Sequence, residues 1–309
     1  MAVTEAAPPP VRRKGDVVFS SIARAAGIAI LVALAGVAIF LTIEGAPAIT
    51  APPAAMGGKD GIVLYVWPLL FGTLLAAFVA MLIATPLAFG VALVISHFAP
   101  RRLSKTLGYV IDLLAAVPSV VYGLWGIQFL GPRLLPFYQW LEDNLGFLPF
   151  FEGPATSGRT ILTASVVLAV MALPIITAIT REIFAQTPVL HQEAALALGA
   201  TRWEMIRMTV FPYARSGMIS ATMLGLGRAL GETMAVAMVL SATGIVTFNL
   251  ISTSNPSTIA ANIALQFGEA SGLKVNVLIF SGLVLFLVTF AVNFLGRAIA
   301  ARGQDGGTK

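Results

Sequence analysis

The sequence predicts an all-α integral membrane protein with six transmembrane helices, and three observations carry that expectation. Of its 309 residues, 58% are hydrophobic and only 11% are charged, which is not the composition of an ordinary soluble domain. Several apolar runs exceed the roughly 18–20 residues that a helix needs to cross a hydrocarbon core of about 30 Å. The basic residues cluster beside those runs, as the positive-inside rule expects. The net charge of +5 is therefore a topology signal and not a nucleic-acid footprint. There are no cysteines, which excludes disulfides and thiolate metal sites. The two histidines, His97 and His191, have no spaced partner and read as polar residues where helices leave the membrane.

Residues 1–16 are Pro-rich and polar, with Arg12, Arg13 and Lys14, and read as a disordered cytoplasmic tail. The first span covers 18–43. A basic flank before an apolar run also describes a signal peptide, but this run is too long for an h-region and reads as an uncleaved anchor. Residues 62–98 contain no Asp, Glu, Lys or Arg. As one helix they would reach about 55 Å at 1.5 Å per residue, so the span must protrude, tilt or break, with Pro86 the expected kink.

The third span, 111–130, is interrupted by Pro118 in the segment AAVPSVVYGLWG. Residues 131–159 follow as a polar and aromatic segment. Phe137, Tyr138, Trp140, Phe147 and Phe150 suit either an aromatic belt at headgroup level or a docking surface for an external partner. The fourth span is 160–182, the fifth 217–240 and the sixth 275–295. Residues 241–274, rich in Ser, Thr and Asn, are expected outside, and 301–309 form a second cytoplasmic tail. Residues 17–300 thus read as a single transmembrane domain. With both termini cytoplasmic, 14 Lys and Arg residues fall inside and four outside (Lys59, Arg133, Arg159 and Lys274); the nineteenth, Arg228, lies within a span. No strong internal repeat is evident, so an inverted-repeat secondary transporter gains no support.

Between the fourth and fifth spans, residues 188–212 read PVLHQEAALALGATRWEMIRMTVFP, the longest charged interruption in the chain. Val189, Leu190, Ala194, Ala197 and Leu198 share one helical stripe. Thr187 and Pro188 suit an N-cap and a first helical position. Gly199 can take the left-handed conformation that ends a helix. Thr201 and Glu204 make a capping box that starts a second helix, with Trp203, Ile206 and Val210 on one face. Two short helices around a glycine make either a docking knob or an ordinary amphipathic helix-turn-helix between spans.

Arg228 lies about 16 Å along the fifth span, near mid-depth. Glu232 follows at i+4, so a continuous helix would put both on one face. A charge there costs at least about 2.5–3.5 kcal/mol on insertion scales, and such residues face protein or an aqueous path and usually pair. The pair reads either as a structural ion pair or as a pathway site for an anion, because Arg offers planar, permanent, bidentate recognition of oxyanions. The surrounding GLGRALGET lacks the Lys-Ser/Thr ending of a phosphate-cradling loop and follows no strand. Gly227 and Gly231 read instead as a small-xxx-small packing pair. No nucleotide-binding motif occurs in the chain, so any ATP is hydrolysed by a separate subunit.

Two sets of residues resemble a known family. Glu193-Ala194-Ala195, then Gly199, then Phe211-Pro212 resemble the EAA loop of ABC importer permeases, departing from its pattern at Thr209 and Phe211, where Ile and Leu are usual. RALGETMAV, Arg228 to Val236, resembles the fifth-span signature of oxyanion importers; its Arg-x-x-Gly-Glu core is shared with sulfate- and molybdate-type permeases. With Thr233-Met234 and with PSVVYGLWG from Pro118 to Gly126, the chain resembles PstC-type permease subunits of phosphate ABC importers, from about Trp67 to Leu295. The sister PstA-type subunit has a similar segment.

This resemblance implies the ABC type I importer permease fold with a cytoplasmic EAA coupling-helix loop, in a prokaryotic inner (plasma) membrane. It implies a non-catalytic subunit with no cofactor of its own, ATP being bound by a partner. The implied partners are a homologous PstA-type permease subunit, a PstB-type ATPase dimer, an extracytoplasmic phosphate-binding protein and membrane lipid, with no nucleic acid. Glu193, Ala194, Ala195 and Gly199 would couple to the ATPase, and Arg228, Glu232 and Thr233 would serve the substrate pathway. An ATPase-independent channel or secondary transporter would leave the 188–212 knob without a role. A membrane enzyme gains no support, since the spans carry no acid–base pair beyond Arg228 and Glu232.

Overall fold

A row of alanines decides how the bundle is built. In the computed structural model, which describes residues 14–305, helix α2 (Ile62–Leu93) carries Ala76, Ala80, Ala84, Ala88 and Ala92 at four-residue spacing. All five are at most 1% exposed. Successive alanines at this spacing lie about 40° apart, so the row winds slowly round the buried side of the helix; their size lets a neighbour's backbone come close, the means by which membrane helices associate without a hydrophobic drive. The neighbour is α6 (Ile161–Ala185). Ser165 Oγ donates to the Ala76 carbonyl at 3.2 Å and Thr177 Oγ1 to the Ala88 carbonyl at 3.4 Å. The partners in both bonds are 89 residues apart, so the helices run parallel in constant register.

Helix α9 (Phe211–Gly231) packs on α6 in the opposite sense. A Cβ at Gly217 would sit 2.6 Å from Ile183, and one at Gly225 would sit 2.6 Å from Ile176. These two glycines bring α9 against α6. The long α12 (Leu273–Asp305) lies along α9, where Gly296 abuts Met223. The first helix, α1 (Lys14–Gly45), is almost wholly exposed and joins the bundle through α12: Gly45 abuts Phe280, and Asn276 Nδ2 donates to the Glu44 carbonyl at 2.6 Å.

The remaining elements are shorter. After α2 a π turn, Val94–Phe98, leads to α3 (Arg101–Ala115), which packs on α6 where Gly108 makes room for the Arg181 guanidinium. Arg181 pairs there with Asp112 at 3.7 Å. Pro118 starts α4 (Ser119–Trp125), which runs through a π turn, Gly126–Leu130, into α5 (Gly131–Leu145). The elbow holds α7 (Val189–Ala197) and α8 (Arg202–Met205), and α8 continues through a third π turn, Ile206–Val210, into α9. Beyond α9 come α10 (Met234–Val239) and α11 (Ile259–Gln266).

Among the described residues, four helical stretches are long and apolar enough to cross a membrane: Gly15–Thr50, Ile62–Phe98, Ile161–Ala185 and Leu273–Ala300. A fifth arises if α3 and the Ser119–Leu145 run count as one bent span; they meet at 91°. The sequence expects six spans, the third interrupted at Pro118, and helical structure is divided there between α3 and α4. The structure corrects the fifth: the expected 217–240 span ends at Gly231. The 62–98 stretch continues helically through Pro86 into its π turn. Residues 14–16 of the expected N-terminal tail belong to α1 and residues 301–305 of the C-terminal tail to α12; the rest of both tails lies outside the described residues.

About half of the polar and aromatic 131–159 segment is helical, as α5. Tyr138 is fully buried with its hydroxyl 2.7 Å from Thr163 Oγ1, whereas Trp140 and Phe147 are exposed. The polar 241–258 segment folds back onto the bundle. Asn255, 0% exposed, donates from Nδ2 to the Arg159 and Ser241 carbonyls and accepts from the Ile161 N–H. The Leu250 N–H donates to the Phe150 carbonyl, and the Leu162 N–H to the Leu250 carbonyl. These bonds satisfy backbone groups that a buried loop would otherwise strand.

The alanine row generates a stability prediction. Ala80→Leu inserts three methyl-sized groups where α6 has no room, and overpacking of this kind costs about 1–3 kcal/mol. Thermal unfolding in detergent is expected at a lower temperature than wild type, whereas Leu82→Ala, at a 65% exposed site two residues on, leaves the midpoint nearly unchanged.

Candidate functional site

The elbow is built as its sequence dictates, with one correction. Pro188, and not Thr187, is the residue that caps α7, and no side chain serves that end. Thr187 is buried, and its carbonyl takes the Gln192 Nε2–H at 3.1 Å. Gly199 ends α7 with φ +85°. Its N–H donates to the Leu196 carbonyl, and the Ala200 N–H donates to the Ala195 carbonyl. Together these form a Schellman motif, which needs a left-handed residue at this position. Thr201 then forms the expected capping box: its Oγ1 accepts the Glu204 N–H at 3.3 Å, and Glu204 Oε2 accepts the Thr201 N–H at 2.8 Å. That backbone bond first, and then the bond from the Thr201 hydroxyl, hold the Glu204 carboxyl below its usual pKa. The box is therefore intact above the ordinary carboxylate range and is lost as pH falls through the depressed value.

The two faces of the elbow differ. Ala195 packs inward with Phe184, Met205, Ile206 and Val210. Glu193, Ala194 and Gly199 are exposed, and so are Val189, Leu190 and Leu198, the last at 90%. The apolar stripe of α7 thus faces away from its own chain. Of the second expected face, Ile206 and Val210 are buried but Trp203 is half exposed.

At the other end of α9 the expected geometry is revised more strongly. Helical structure stops at Gly231: Glu232 has ψ 126°, and α10 starts two residues later. Arg228 and Glu232 therefore do not share a helix face, and no ion pair joins them. Glu232 Oε1 instead accepts the Ala235 N–H at 3.2 Å, and Thr233 Oγ1 donates to the Gly231 carbonyl at 3.1 Å. Arg228 keeps a buried Nε with no hydrogen-bond partner among the described residues. In α4 the Tyr122 hydroxyl donates to the Leu114 carbonyl at 2.9 Å.

Gly227 and Gly231 also differ from expectation. A Cβ at either would meet no atom within 4 Å, so they pack against nothing in this chain. Ser220, Leu224 and Gly231 are exposed. These residues, with the partly exposed Gly227 and Arg228, form an i, i+4, i+7, i+8, i+11 stripe of α9 that its own bundle covers only in part. The PSVVYGLWG segment, by contrast, meets α10. A Cβ at Gly123 would lie 3.0 Å from the Ala235 Cα, and one at Gly126 would lie 2.8 Å from Val239. The glycines of one recognisable segment thus admit the second half of the other. Asn255, which ties 159–161 to 241, was not singled out from the sequence; one Asn in a polar loop carries no signal of burial. Among the described residues no group of three or more His, Cys, Asp or Glu could hold a metal ion.

Residues 84–303 match the family described as binding-protein-dependent transport system inner membrane component. The chain belongs to this family. Among its relatives, the phosphate transport system permease protein PstC 2 of Mycobacterium tuberculosis is 45% identical over 307 residues, covering 95% of this chain and 94% of the relative. PstC of Mycobacterium leprae is 41% identical over 87% of this chain and 88% of its own length. A bacterial alginate ABC transporter, solved in complex with its pentasaccharide-bound periplasmic protein, superposes with a TM-score of 0.64 over 94% of this chain and 96% of that one, at 13% identity. That likeness establishes the fold alone. Membership of the binding-protein-dependent transport family makes this chain an integral, non-catalytic membrane subunit of an ABC importer, with ATP hydrolysis left to a partner.

Gly199→Val tests the elbow. A β-branched residue at positive φ is expected to cost about 1–2 kcal/mol, which fits roughly tenfold faster hydrogen exchange of the α7 and α8 amides. Gly199→Asn, which tolerates the left-handed region, stays close to wild type. Equal exchange in all three proteins would mean that the glycine does not hold the turn.

Proposed function

We propose that this chain is the permease subunit of an ATP-driven importer of inorganic phosphate, forming half of the translocation pathway. The observation that carries the reading is Arg228, whose buried Nε has no hydrogen-bond partner among the described residues, on a stripe of α9 that the rest of the bundle covers only in part. A guanidinium at that depth is costly unless something negative meets it, and its planar fork suits a tetrahedral oxyanion. The break at Glu232 and Thr233 supports the same reading. Non-helical backbone within a membrane is tolerated where it is buried in protein or lines a water-filled cavity. Glu232 serves the pathway indirectly by capping α10, and so leaves Arg228 free. The Arg-x-x-Gly-Glu core alone also suits sulfate or molybdate, but the relatives' names favour phosphate and the C-type subunit over its A-type sister.

The partly exposed stripe of α9 suits a second, homologous permease subunit across the pathway, and the outward apolar stripe of α7 suits a groove on an ATPase dimer. Glu193, Ala194 and Gly199 would meet the ATPase, with Ala195 holding the elbow together from inside. Both termini would then be cytoplasmic, and a phosphate-loaded extracytoplasmic protein would dock at the far end.

Arg228→Ala is expected to abolish labelled-phosphate uptake in cells lacking the native chain while the subunit still co-purifies with its ATPase. Uptake at the wild-type rate would remove the pathway role, and competition by sulfate or molybdate equal to that by phosphate would change the substrate. Glu193→Lys is expected to break ATPase co-purification and transport together; normal values for both would remove the coupling role.

A further inference from the structure

Two lysines share a cavity at the end of the bundle away from the elbow. Because α2 and α6 run parallel and α6 leads into the elbow, the start of α2 marks the opposite end. A cavity of about 420 Å³ lies there, lined by Lys59, Tyr65, Ser257, Asn262, Gln266 and Lys274 among others. This is within the range of about 300–1,000 Å³ of small-molecule sites. No Asp or Glu lines it; Asp60 and Glu269, the carboxylates nearest these groups in sequence, are not part of its wall.

Both lysines are partly buried, and neither belongs to an ion pair among the described residues. Lys59 Nζ has one long hydrogen bond, to the Gly244 carbonyl at 3.4 Å. Asn262 Nδ2 donates to the Tyr65 hydroxyl at 3.0 Å, and Gln266 Nε2 donates to Asn262 Oδ1 at 2.5 Å. This chain of bonds fixes the phenol as acceptor and leaves its own proton without a protein acceptor among the described residues.

Two ammonium groups line one cavity whose wall holds no carboxylate, so an anion is the charge that complements it. Lys and Arg are also rare at this end: four of nineteen fall outside on the expected topology, and two of the four meet in this cavity.

We infer that this cavity is a second binding site for a small tetrahedral oxyanion, held by Lys59 and Lys274 with the Tyr65 hydroxyl as a further donor. It deepens the import reading and rests on it for the class of ligand: the site would hold the anion at the outer end, before Arg228.

The test uses the assembled transporter in lipid nanodiscs without its binding protein. The primary amines are acylated under limiting reagent and read by mass spectrometry, with millimolar phosphate or with chloride at equal ionic strength. Lys59 and Lys274 are expected to react several-fold more slowly in phosphate, and likewise in sulfate, while the exposed Lys105 is unaffected. Equal labelling in phosphate and chloride overturns the site. Protection that appears only when the binding protein is added also overturns it, assigning both lysines to a protein contact. The Arg228→Ala assembly separates this inference from the pathway reading. Protection retained alongside normal uptake would sink the role of Arg228 and leave the lysine site standing; protection lost in wild type with uptake abolished in Arg228→Ala would do the reverse.

Discussion

The close approach of α2 and α6 is the constraint on which the bundle depends. Lipid offers no hydrophobic drive between helices, so association rests on packing and on interhelical hydrogen bonds. Five alanines at four-residue spacing provide the first, and the Ser165 and Thr177 hydroxyls provide the second. The fixed register of those bonds orients both helices, sets the elbow at one end and collects the lysine cavity at the other. Gly217 and Gly225 then seat α9 on α6. Arg228 lies close to that face, about 20° round the helix from Gly217, so its Nε is buried while the neighbouring edge at Ser220, Leu224 and Gly231 stays exposed.

How far the fold was legible follows from which signals are local. The apolar runs located the long helices, and Thr201 with Glu204 three residues later located the second elbow helix, because each signal is complete within a few residues. The break after Gly231 was not legible. Glu is a good helix former, and nothing local distinguishes a Glu232 that continues α9 from one that turns to cap α10. The cap of α7 was misread for a similar reason, since Thr187 has the chemistry of an N-cap but lies one residue too early. Gly217, Gly225, Gly227 and Gly231 look alike in sequence, and only the packing separates the two that meet α6 from the two that meet nothing.

The candidate site was legible in its residues and not in its geometry. Arg228 stood out because its charge is costly in an apolar span, and the elbow because its polarity is out of place there. The pairing inferred between Arg228 and Glu232 assumed an unbroken helix. The break dissolves that pair and makes the arginine more available than the sequence implied. Lys59 and Lys274 were counted only as exceptions to a charge rule. They are 215 positions apart in a 309-residue chain, and no local pattern announces that they share a wall.

One feature of α9 bears on how motion could travel. From Arg202 the backbone is helical without interruption to Gly231, passing from α8 through the π turn into α9. Arg228 is therefore joined to the elbow by a rod of about 39 Å at 1.5 Å per residue. A rotation of roughly 10° about its lower end would carry the guanidinium about 7 Å sideways over that length. A partner gripping the elbow thus works a lever whose far tip bears the charge, and the π turn is the joint where slack would be taken up.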